Sequence, residues 1–332
     1  MDKLNVAVIG VGAMGKSHIR NYSNLNNVNL VAICDVDKEK AKSIAEEHNT
    51  NYYTDCNQML KKEKIDAVSV CVSTKYHKET AMEIIRNKIN VLVEKPIAVT
   101  IEEAKEIIDE ADKNNIKLMV GHIERFNPVV IELKKRIARN ELGKIYKVNC
   151  TRLSPFPQRV VDVGVIVDLA VHEIDILRYI LNSKITRVYA ETAQRIHSSQ
   201  EDLLIGTLRF ENNILGIINT NWLTPKKVRE ITITGEKGMF AANYLTQELY
   251  FYENEFAAKN FDYGKGYMGV TEGKMEEVKI EKEEPLKIEL NAFINCIKNN
   301  KEPLVTGNDG MEALGIAEKF KQSSKKNKVI IL

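Results

Sequence analysis

The sequence has few of the residues that would assign it to a class at once. Among its 332 residues there are 5 cysteines, 7 prolines and 1 tryptophan, and the net charge is +2. The scattered cysteines show no CxxC or other metal-like spacing; Cys34 and Cys71 lie in apolar runs and are expected to be buried thiols, and a reducing cytoplasm is the expected compartment. The balanced charge gives no indication of nucleic-acid binding. No apolar run approaches the length of a membrane span, and a strand-like segment from Leu4 leaves no room for a signal peptide.

The first third of the chain alternates short apolar segments with amphipathic ones. The apolar, β-branched segments predict strands at 4–9, 30–34, 67–72, 90–93 and 117–120. The amphipathic stretches predict helices at 38–48, 78–87 and 101–114, the last opened by a capping box of Thr100 and Glu103. Such alternation is typical of a parallel sheet with helices on both faces.

The pattern changes after residue 121. Helices are predicted at 128–139, 165–181, 285–298 and 310–321. Strands are predicted at 144–152, 186–195, 203–210, 214–223, 230–234, 248–252 and 328–332. Runs of strands without intervening helices favour an antiparallel sheet. We therefore predict an α/β domain at 1–122 and an α+β domain at 123–332.

A glycine-rich segment follows the first strand and opens a helical stretch: Gly10-Val11-Gly12-Ala13-Met14-Gly15. In a dinucleotide-binding turn, Gly10 permits the sharp bend, Gly12 lets the backbone approach the pyrophosphate, and Gly15 lets helix and strand pack closely. The first amides of the helix, those of Ala13 and Met14 included, would bind the phosphates. A glycine turn without a ligand is the alternative.

A carboxylate ends the second strand about 20 residues after Gly15, at Asp35. It is placed to accept hydrogen bonds from the adenine-ribose hydroxyls, and it would repel a 2′-phosphate. The sequence therefore predicts a Rossmann domain that binds NAD rather than NADP. Asp37 is interpreted as the N-cap of the next helix.

Polar residues follow the strand at 67–72. Ser73 and Thr74 are expected to face the cofactor cleft, although they could instead cap the helix that begins near residue 78. His77, in the same loop, is a candidate cofactor-binding residue, with a surface histidine as the favoured alternative.

A lysine follows the apolar strand at 90–93, in the tripeptide Glu94-Lys95-Pro96. A buried strand gives no structural reason for a cation at its end. Ligands of open α/β sheets bind at the carboxyl ends of the strands, so Lys95 is predicted to act on a ligand there.

Asp168 and His172 are four residues apart in a predicted helix, so they share one face. A carboxylate one turn from an imidazole can fix its tautomer and support its protonated form, as a general base near neutral pH requires. A simple ion pair and a metal site are the alternatives, but no spacing supplies a further ligand, and no metal is predicted. Asp175 is interpreted as a buried structural carboxylate.

The glycine segment, Glu94-Lys95-Pro96 and Asp168-x-x-x-His172 occur in this order along the chain. Together they resemble the Gfo/Idh/MocA oxidoreductases, NAD(P)-dependent enzymes that act mostly on sugars, cyclitols and nucleotide sugars. The resemblance covers essentially the whole chain, including 302–310. It implies a Rossmann domain followed by an α+β domain with a large, open, mostly antiparallel sheet. That sheet often forms an oligomer interface, so a homodimer or homotetramer is expected.

The resemblance also implies a catalytic set. His172 would remove the proton from a substrate hydroxyl as hydride leaves the carbon for the nicotinamide. Lys95 would stabilise the negative charge on that oxygen, and Asp168 would orient the base and bind a neighbouring hydroxyl. Glu94 would position Lys95 or contact the nicotinamide ribose.

Two further segments, 121–128 and Asp162-x-Gly164-x-x-x-Asp168, resemble the branch of this family that oxidises the 3-hydroxyl of UDP-N-acetylglucosamine. In that branch an aminotransferase later installs a 3-amino group. Candidate substrate-binding residues outside the catalytic set are Arg125, Asn127, Arg152, Arg159 and Asp162. The arginines would bind a diphosphate, or would be surface or domain-interface residues.

One residue departs from the family pattern. Many relatives have a glycine-rich stretch before the catalytic aspartate, where this chain has Asp162. The polar segment 263–267 is either a plain surface loop or a loop that closes over substrate.

The sequence leaves three hypotheses for the function. They are a nucleotide-sugar 3-dehydrogenase, an inositol or simple-sugar dehydrogenase, and a non-catalytic dinucleotide-binding sensor.

Overall fold

The chain folds into two compact units. The structure, a computed structural model, describes residues 3–157, 163–197, 199–254 and 273–332. The first unit comprises Met1–Phe126 and Glu283–Ile316, and the second comprises Asn127–Lys282 and Ala317–Leu332. The chain therefore leaves the first unit and later returns to it.

The first unit is built on a parallel sheet. Its strands are β1 Leu4–Ile9, β2 Val28–Cys34, β3 Asn51–Tyr53, β4 Ala67–Val70, β5 Asn90–Glu94 and β6 Leu118–Gly121. They lie in the order β3-β2-β1-β4-β5-β6, and every neighbouring pair is parallel. The strand order reverses between β1 and β4, where open α/β sheets form a crevice for ligands. The predicted parallel sheet is confirmed, with β3 as an additional strand.

Helices pack on this sheet between the strands. They are α1 Ala13–Asn24, α2 Lys38–His48, α3 Cys56–Lys62, α4 His77–Arg86 and α5 Ile101–Lys113. α5 buries residues at the spacing of one helical face: Ala104, Ile107, Ile108 and Ala111.

The helix starts follow the predicted capping chemistry. The Asp37 side chain accepts a hydrogen bond from the Lys40 amide at 3.1 Å and so caps α2. At α5 the Glu103 amide donates to Thr100 Oγ1 at 3.2 Å. The Glu103 carboxylate accepts from the Val99 amide at 3.1 Å, one residue before the N-cap. Both predicted N-caps are confirmed.

The second unit carries a large mixed sheet. Its helices are α6 Pro128–Ala138 and α7 Val171–Leu181. Its strands are β7 Ile145–Leu153, β8 Ile185–Ala193, β9 Leu203–Phe210, β10 Leu215–Asn221, β11 Val228–Gly235, β12 Gly238–Asn243, β13 Glu248–Glu253, β14 Met275–Val278 and β15 Ile330–Ile331. The 9 strands lie in the order β14-β13-β12-β11-β7-β10-β9-β8-β15. Only β7 and β10 are parallel neighbours among these described strands, so the predicted mostly antiparallel sheet is confirmed.

The returning segment completes the first unit. Helix α8, Pro285–Lys298, contributes buried apolar side chains to its core: Leu286, Leu290, Phe293 and Ile294. After α8 the Val305 carbonyl accepts a hydrogen bond from the Val120 amide at 3.2 Å, beside β6. The chain then enters α9, Gly307–Lys326. None of the helices in the described part of the chain has the length and apolarity needed to cross a membrane.

A buried ion pair fastens the start of α9 within the first unit. Arg125 is 3% exposed, and its guanidinium lies 3.0 Å from the Asp309 carboxylate and donates to the Leu304 carbonyl at 3.1 Å. Asp309 also accepts from the Thr306 amide at 2.9 Å. Burial alone would raise the pKa of Asp309, but Arg125 and Thr306 outweigh it and hold that pKa below its ordinary value.

Asp309→Asn tests this pair. The neutral amide leaves the buried Arg125 without its carboxylate, so the free energy of unfolding should fall by about 1.5–3 kcal/mol in urea titrations at pH 7. Glu302→Gln is the matched control, because Glu302 is 85% exposed and lies 3.9 Å from Lys117, and its effect should stay within about 0.5 kcal/mol.

The pH dependence of the same variant has a defined sign. The pKa of Asp309 is depressed in the folded state, so its stabilisation is present above the ordinary value of 3.8 and is lost as pH falls through the depressed value. The stability difference between wild type and Asp309→Asn should therefore shrink in acid. A constant difference would contradict the charge argument.

Candidate active site

The glycine turn after β1 is shaped by contacts that exclude side chains. Gly10 has φ +90°, and a Cβ there would lie 2.6 Å from the Cys71 carbonyl oxygen. A Cβ on Gly15 would overlap the Gly10 carbonyl oxygen. An added Cβ at Gly12, by contrast, would meet no described atom within 4 Å. Gly10 and Gly15 are therefore required by the fold, and Gly12 leaves the backbone open to a ligand, as the sequence predicts.

A cleft of about 590 Å³ lies at this turn, within the first unit. Its walls come from the carboxyl ends of β1, β2 and β4, and they include Gly10, Gly12, Asp35, Val36 and Ser73. Helix α1 begins here with Gly12 as its N-cap, and no described side chain caps it. Uncapped amides at a helix start favour an anion. The residues present fit a dinucleotide, whose phosphates would lie at Gly12, Ala13 and Met14 and whose ribose would lie at Asp35.

Asp35 organises the turn as well as facing the cleft. Its carboxylate accepts hydrogen bonds from the Val11 amide at 2.7 Å and from the Asp37 amide at 3.0 Å. A carboxylate has about four acceptor sites, so these two bonds leave capacity for ribose hydroxyls. Asp35 thus links the glycine turn to the start of α2, a role that the sequence did not reveal.

Ser73 and Thr74 begin the segment that leads into α4. The Ser73 carbonyl accepts from the Tyr76 amide at 2.8 Å, which closes a short 3₁₀ turn over Thr74–Tyr76. Within the described residues the Ser73 side chain makes no capping bond, and Ser73 lines the cleft. These observations support the cofactor-facing interpretation of Ser73 over helix capping.

His77 is buried, so the favoured interpretation as a surface histidine is wrong. It is 1% exposed, with Nδ1 2.8 Å from the Pro96 carbonyl oxygen and Nε2 3.0 Å from the Val72 carbonyl oxygen. Burial lowers the pKa of His77 despite these acceptors. A neutral ring carries one N–H and donates to one of the two carbonyls at a time. His77 therefore joins the backbone after β4 to the backbone after β5.

Glu94 ends β5 as a buried carboxylate with two donors. Its Oε1 lies 2.9 Å from His18 Nε2, and its Oε2 accepts from the Lys95 amide at 3.2 Å. Burial would raise the pKa of Glu94, but His18, Lys95 and His77 outweigh it and hold that pKa below its ordinary value. An ionised Glu94 that binds the Lys95 backbone supports the positioning interpretation. The Lys95–Pro96 peptide bond is cis.

His18 was not identified from the sequence. It lies three residues after Gly15, on the buried side of α1, and is 0% exposed. The sequence signal that could have identified His18 is its position one helical turn after Gly15, the glycine that packs α1 against the sheet. Its partner Glu94 is distant along the chain, and nothing local pairs the two residues.

Asp168 and His172 belong to the second unit and lie on a helix that is not regular throughout. A single α-helix was expected at 165–181, but Ile166–Ala170 forms a π turn and α7 begins at Val171. A π turn takes more residues than an α turn, so the helical spacing used for this pair holds only in part. His172 is 8% exposed and Asp175 is 1% exposed. π turns occur frequently at functional sites.

Three candidate substrate-binding residues outside the catalytic set lie in the described part of the chain, and all three are buried. Arg125 is bound to Asp309, as above. Arg152 is 1% exposed and forms an ion pair with Glu173, which is 0% exposed. Asn127 caps α6 through the Val129 amide at 3.3 Å and donates to the Tyr244 carbonyl at 3.1 Å. These contacts support structural interpretations of all three residues.

The remaining predicted positions lie outside the described residues. They are Arg159, Asp162 and the segment 263–267. Within the described ranges, no group of three or more His, Cys, Asp or Glu residues could hold a metal ion.

Two family models match the chain. A model described as an oxidoreductase family with an NAD-binding Rossmann fold matches residues 4–122. A model described as the C-terminal alpha/beta domain of an oxidoreductase family matches residues 134–332. The first match contains the glycine turn, Asp35 and Lys95, and the second contains Asp168 and His172.

Full-length relatives and a solved structure are similar to the chain. The uncharacterized oxidoreductase YrbE of Bacillus subtilis is 29% identical, with 95% of this chain and 93% of the relative covered. Myo-inositol 2-dehydrogenase of Thermotoga maritima is 25% identical, with 99% of this chain and 98% of the relative covered. UDP-N-acetylglucosamine 3-dehydrogenase of Acidithiobacillus ferrooxidans is 24% identical over 96% of both chains. Its solved structure has a TM-score of 0.86 at 23% identity and covers 98% of this chain and 99% of that chain.

Gly12→Ala tests the cofactor cleft without disturbing the fold. The added methyl group meets no described atom, so stability should be kept, but it enters the space where a pyrophosphate would approach. We expect the dissociation constant for NAD, measured by calorimetry, to rise by about tenfold or more, which is at least about 1.4 kcal/mol of binding free energy.

Gly315→Ala is the matched control for this variant. Gly315 lies in α9, and a Cβ there would lie 3.6 Å from Ile101, which is an ordinary van der Waals distance. It should leave NAD affinity unchanged. Equal affinity of Gly12→Ala and wild type would rule out the assigned approach of the pyrophosphate.

Proposed function

The chain belongs to the Gfo/Idh/MocA family of NAD-dependent oxidoreductases, which act on CH–OH groups, and we propose that its substrate is a nucleotide sugar. The proposed reaction oxidises the 3-hydroxyl of UDP-N-acetylglucosamine to a 3-keto sugar. A ketone at that carbon is the group that an aminotransferase requires, so such an enzyme is the expected consumer of the product.

The observation that carries this proposal is the similarity to UDP-N-acetylglucosamine 3-dehydrogenase in sequence and fold over nearly the whole of both chains. It is supported by the two sequence segments that resemble the same branch. The chemistry is supported by Lys95, a half-buried lysine at the carboxyl end of β5 whose backbone amide is held by Glu94.

The proposed roles of the residues follow from the bonds that change. NAD, when bound, supplies the hydride acceptor. His172 takes the hydroxyl proton as the C–H electron pair leaves with the hydride, so that the C–O bond gains double-bond character. The Lys95 ammonium donates a hydrogen bond to the same oxygen and stabilises the charge that develops there. Asp168 holds the His172 ring in the tautomer that accepts the proton.

A second candidate is an inositol dehydrogenase, and a structural observation favours it. Two of the arginines proposed for a diphosphate, Arg125 and Arg152, are already bound to the carboxylates of Asp309 and Glu173. An inositol carries no diphosphate and needs neither guanidinium. Myo-inositol 2-dehydrogenase is similar over nearly the whole chain. The non-catalytic sensor is set aside, because both family models describe oxidoreductases.

A substrate panel separates these candidates. Purified protein is mixed with NAD and one of UDP-N-acetylglucosamine, UDP-glucose, myo-inositol or scyllo-inositol, and nicotinamide reduction is followed at 340 nm. We expect turnover with UDP-N-acetylglucosamine and not with the inositols. A coupled aminotransferase removes the ketone if the equilibrium is unfavourable. Oxidation of an inositol, with no reaction of the UDP-sugars in the coupled assay, would refute the nucleotide-sugar proposal.

Lys95→Ala tests the proposed charge stabilisation. Loss of the ammonium should lower kcat by at least about a hundredfold, the scale of removing one oxyanion donor. NAD affinity should stay close to wild type, because the glycine turn and Asp35 are unchanged. Lys113→Ala is the control, since Lys113 is 76% exposed at the end of α5. Turnover of Lys95→Ala within a few-fold of wild type would remove Lys95 from the mechanism.

A further inference from the structure

A chain of hydrogen bonds runs from helix α1 to the backbone of Lys95. His18 Nε2 lies 2.9 Å from Glu94 Oε1, and Glu94 Oε2 accepts from the Lys95 amide at 3.2 Å. His18 is 0% exposed and Glu94 is 6% exposed, so water does not compete for these bonds. A buried carboxylate without donors is costly, and these two hydrogen bonds offset that cost for Glu94.

The geometry defines the protonation of this arrangement. An ionised carboxylate only accepts hydrogen bonds, so Nε2 of His18 carries the hydrogen. Nδ1 of His18 has no partner among the described residues, and an N–H there would be a buried donor without an acceptor. Nε2 of His18 is therefore the donor to the Glu94 carboxylate.

The Glu94 carboxylate is enclosed on its other sides. A Cβ on Gly121, at the end of β6, would lie 3.0 Å from it, so no side chain can be accommodated there without movement. Among the described residues, the other titratable groups that interact with Glu94 are Lys95, His77 and Cys71, and His77 is bonded to the Pro96 carbonyl. The tripeptide that carries Lys95 is thus held at its first residue by His18 and at its last residue by His77.

We propose that His18 is a positioning residue for Lys95. Its Nε2–H holds the Glu94 carboxylate, and that carboxylate holds the backbone amide from which the Lys95 side chain extends. This inference rests on the proposed role of Lys95 in the dehydrogenase reaction. Loss of the His18 donor leaves the lysine present but poorly oriented, so kcat falls while NAD binding is kept.

The kinetic test compares three replacements of His18. His18→Leu removes the donor at similar volume, His18→Gln keeps an amide N–H near the position of Nε2, and His18→Asn keeps a polar group that is too short to reach Glu94. With the substrate that the wild type oxidises, His18→Leu and His18→Asn should lower kcat about tenfold, the scale of one charge-assisted hydrogen bond. His18→Gln should retain most of the activity, and the Kd for NAD should stay within about twofold. If His18→Leu does not fold, His18→Asn carries the test.

Tyr22→Phe is the matched control. Tyr22 lies one turn further along α1, is 1% exposed, and forms a buried hydrogen bond of 2.9 Å with Ser69 Oγ. Loss of this buried hydrogen bond should lower the thermal stability of the protein, as loss of the His18 hydrogen bond in the same helix does, but it should leave kcat unchanged. A similar fall in kcat in Tyr22→Phe and His18→Asn would show that His18 has only a structural role, and it would overturn the proposal.

A second test, by NMR spectroscopy of the same variants, needs no substrate. Carboxyl-¹³C glutamate and ¹⁵N lysine labels report the titration of Glu94 and the amide shift of Lys95. In His18→Asn the pKa of Glu94 should rise towards its ordinary value and the Lys95 amide should shift, whereas Tyr22→Phe should change neither. Unchanged Glu94 and Lys95 signals would overturn the inference, even for an active nucleotide-sugar dehydrogenase. If the substrate proves to be an inositol, the proposed function fails, and the same two arms still decide the role of His18.

Discussion

The close approach of α1 to the turn after β1 is the constraint on which the rest of the first unit depends. No side chain can be accommodated at Gly15, because its Cβ would overlap the Gly10 carbonyl oxygen, and Gly10 itself lies against the backbone of Cys71. Packing at this distance puts the uncapped start of α1 at the cleft and carries His18, one turn on, to Glu94. The same contact therefore prepares the cofactor site and supports the backbone of Lys95.

The helices and strands that the sequence predicted correctly are determined by residues within or next to the element itself. α2 and α5 begin where the side chains of Asp37 and Thr100 cap them, and the strands of the parallel sheet other than β3 are mainly apolar. Three strands were missed, and two of them, β3 and β14, lack that signal, whereas β12 lies inside the sheet with alternating buried positions. β3 is three residues long and has no fully buried position, and β14 has three exposed positions and one buried. Short or edge strands are formed by backbone pairing with a neighbour, which leaves little pattern in their side chains.

The motifs of the candidate site could be predicted from the sequence, but the residues that contact them through tertiary structure could not. The positions of the glycine turn, Asp35 and Lys95 follow from strand ends, which a sequence pattern can locate. Arg125 and Arg152 looked like ligands for a diphosphate because a single sequence does not show which carboxylates come near them. A buried guanidinium needs a paired charge, and each has one in its own unit, at Asp309 and Glu173. His77 and the π turn before α7 are likewise set by tertiary contacts.

The return of Glu283–Ile316 to the first unit has a consequence for biosynthesis. The sheet of that unit ends at Gly121, yet Leu290, Phe293 and Val305 belong to its core. During translation the cofactor-binding sheet emerges from the ribosome well before α8, whose apolar side chains complete the core of that unit. The nascent sheet must therefore remain incompletely buried until most of the second unit has been synthesised. Folding of the two units is thereby ordered by chain connectivity, and an amino-terminal fragment that stops near residue 122 exposes apolar surface that the full chain buries.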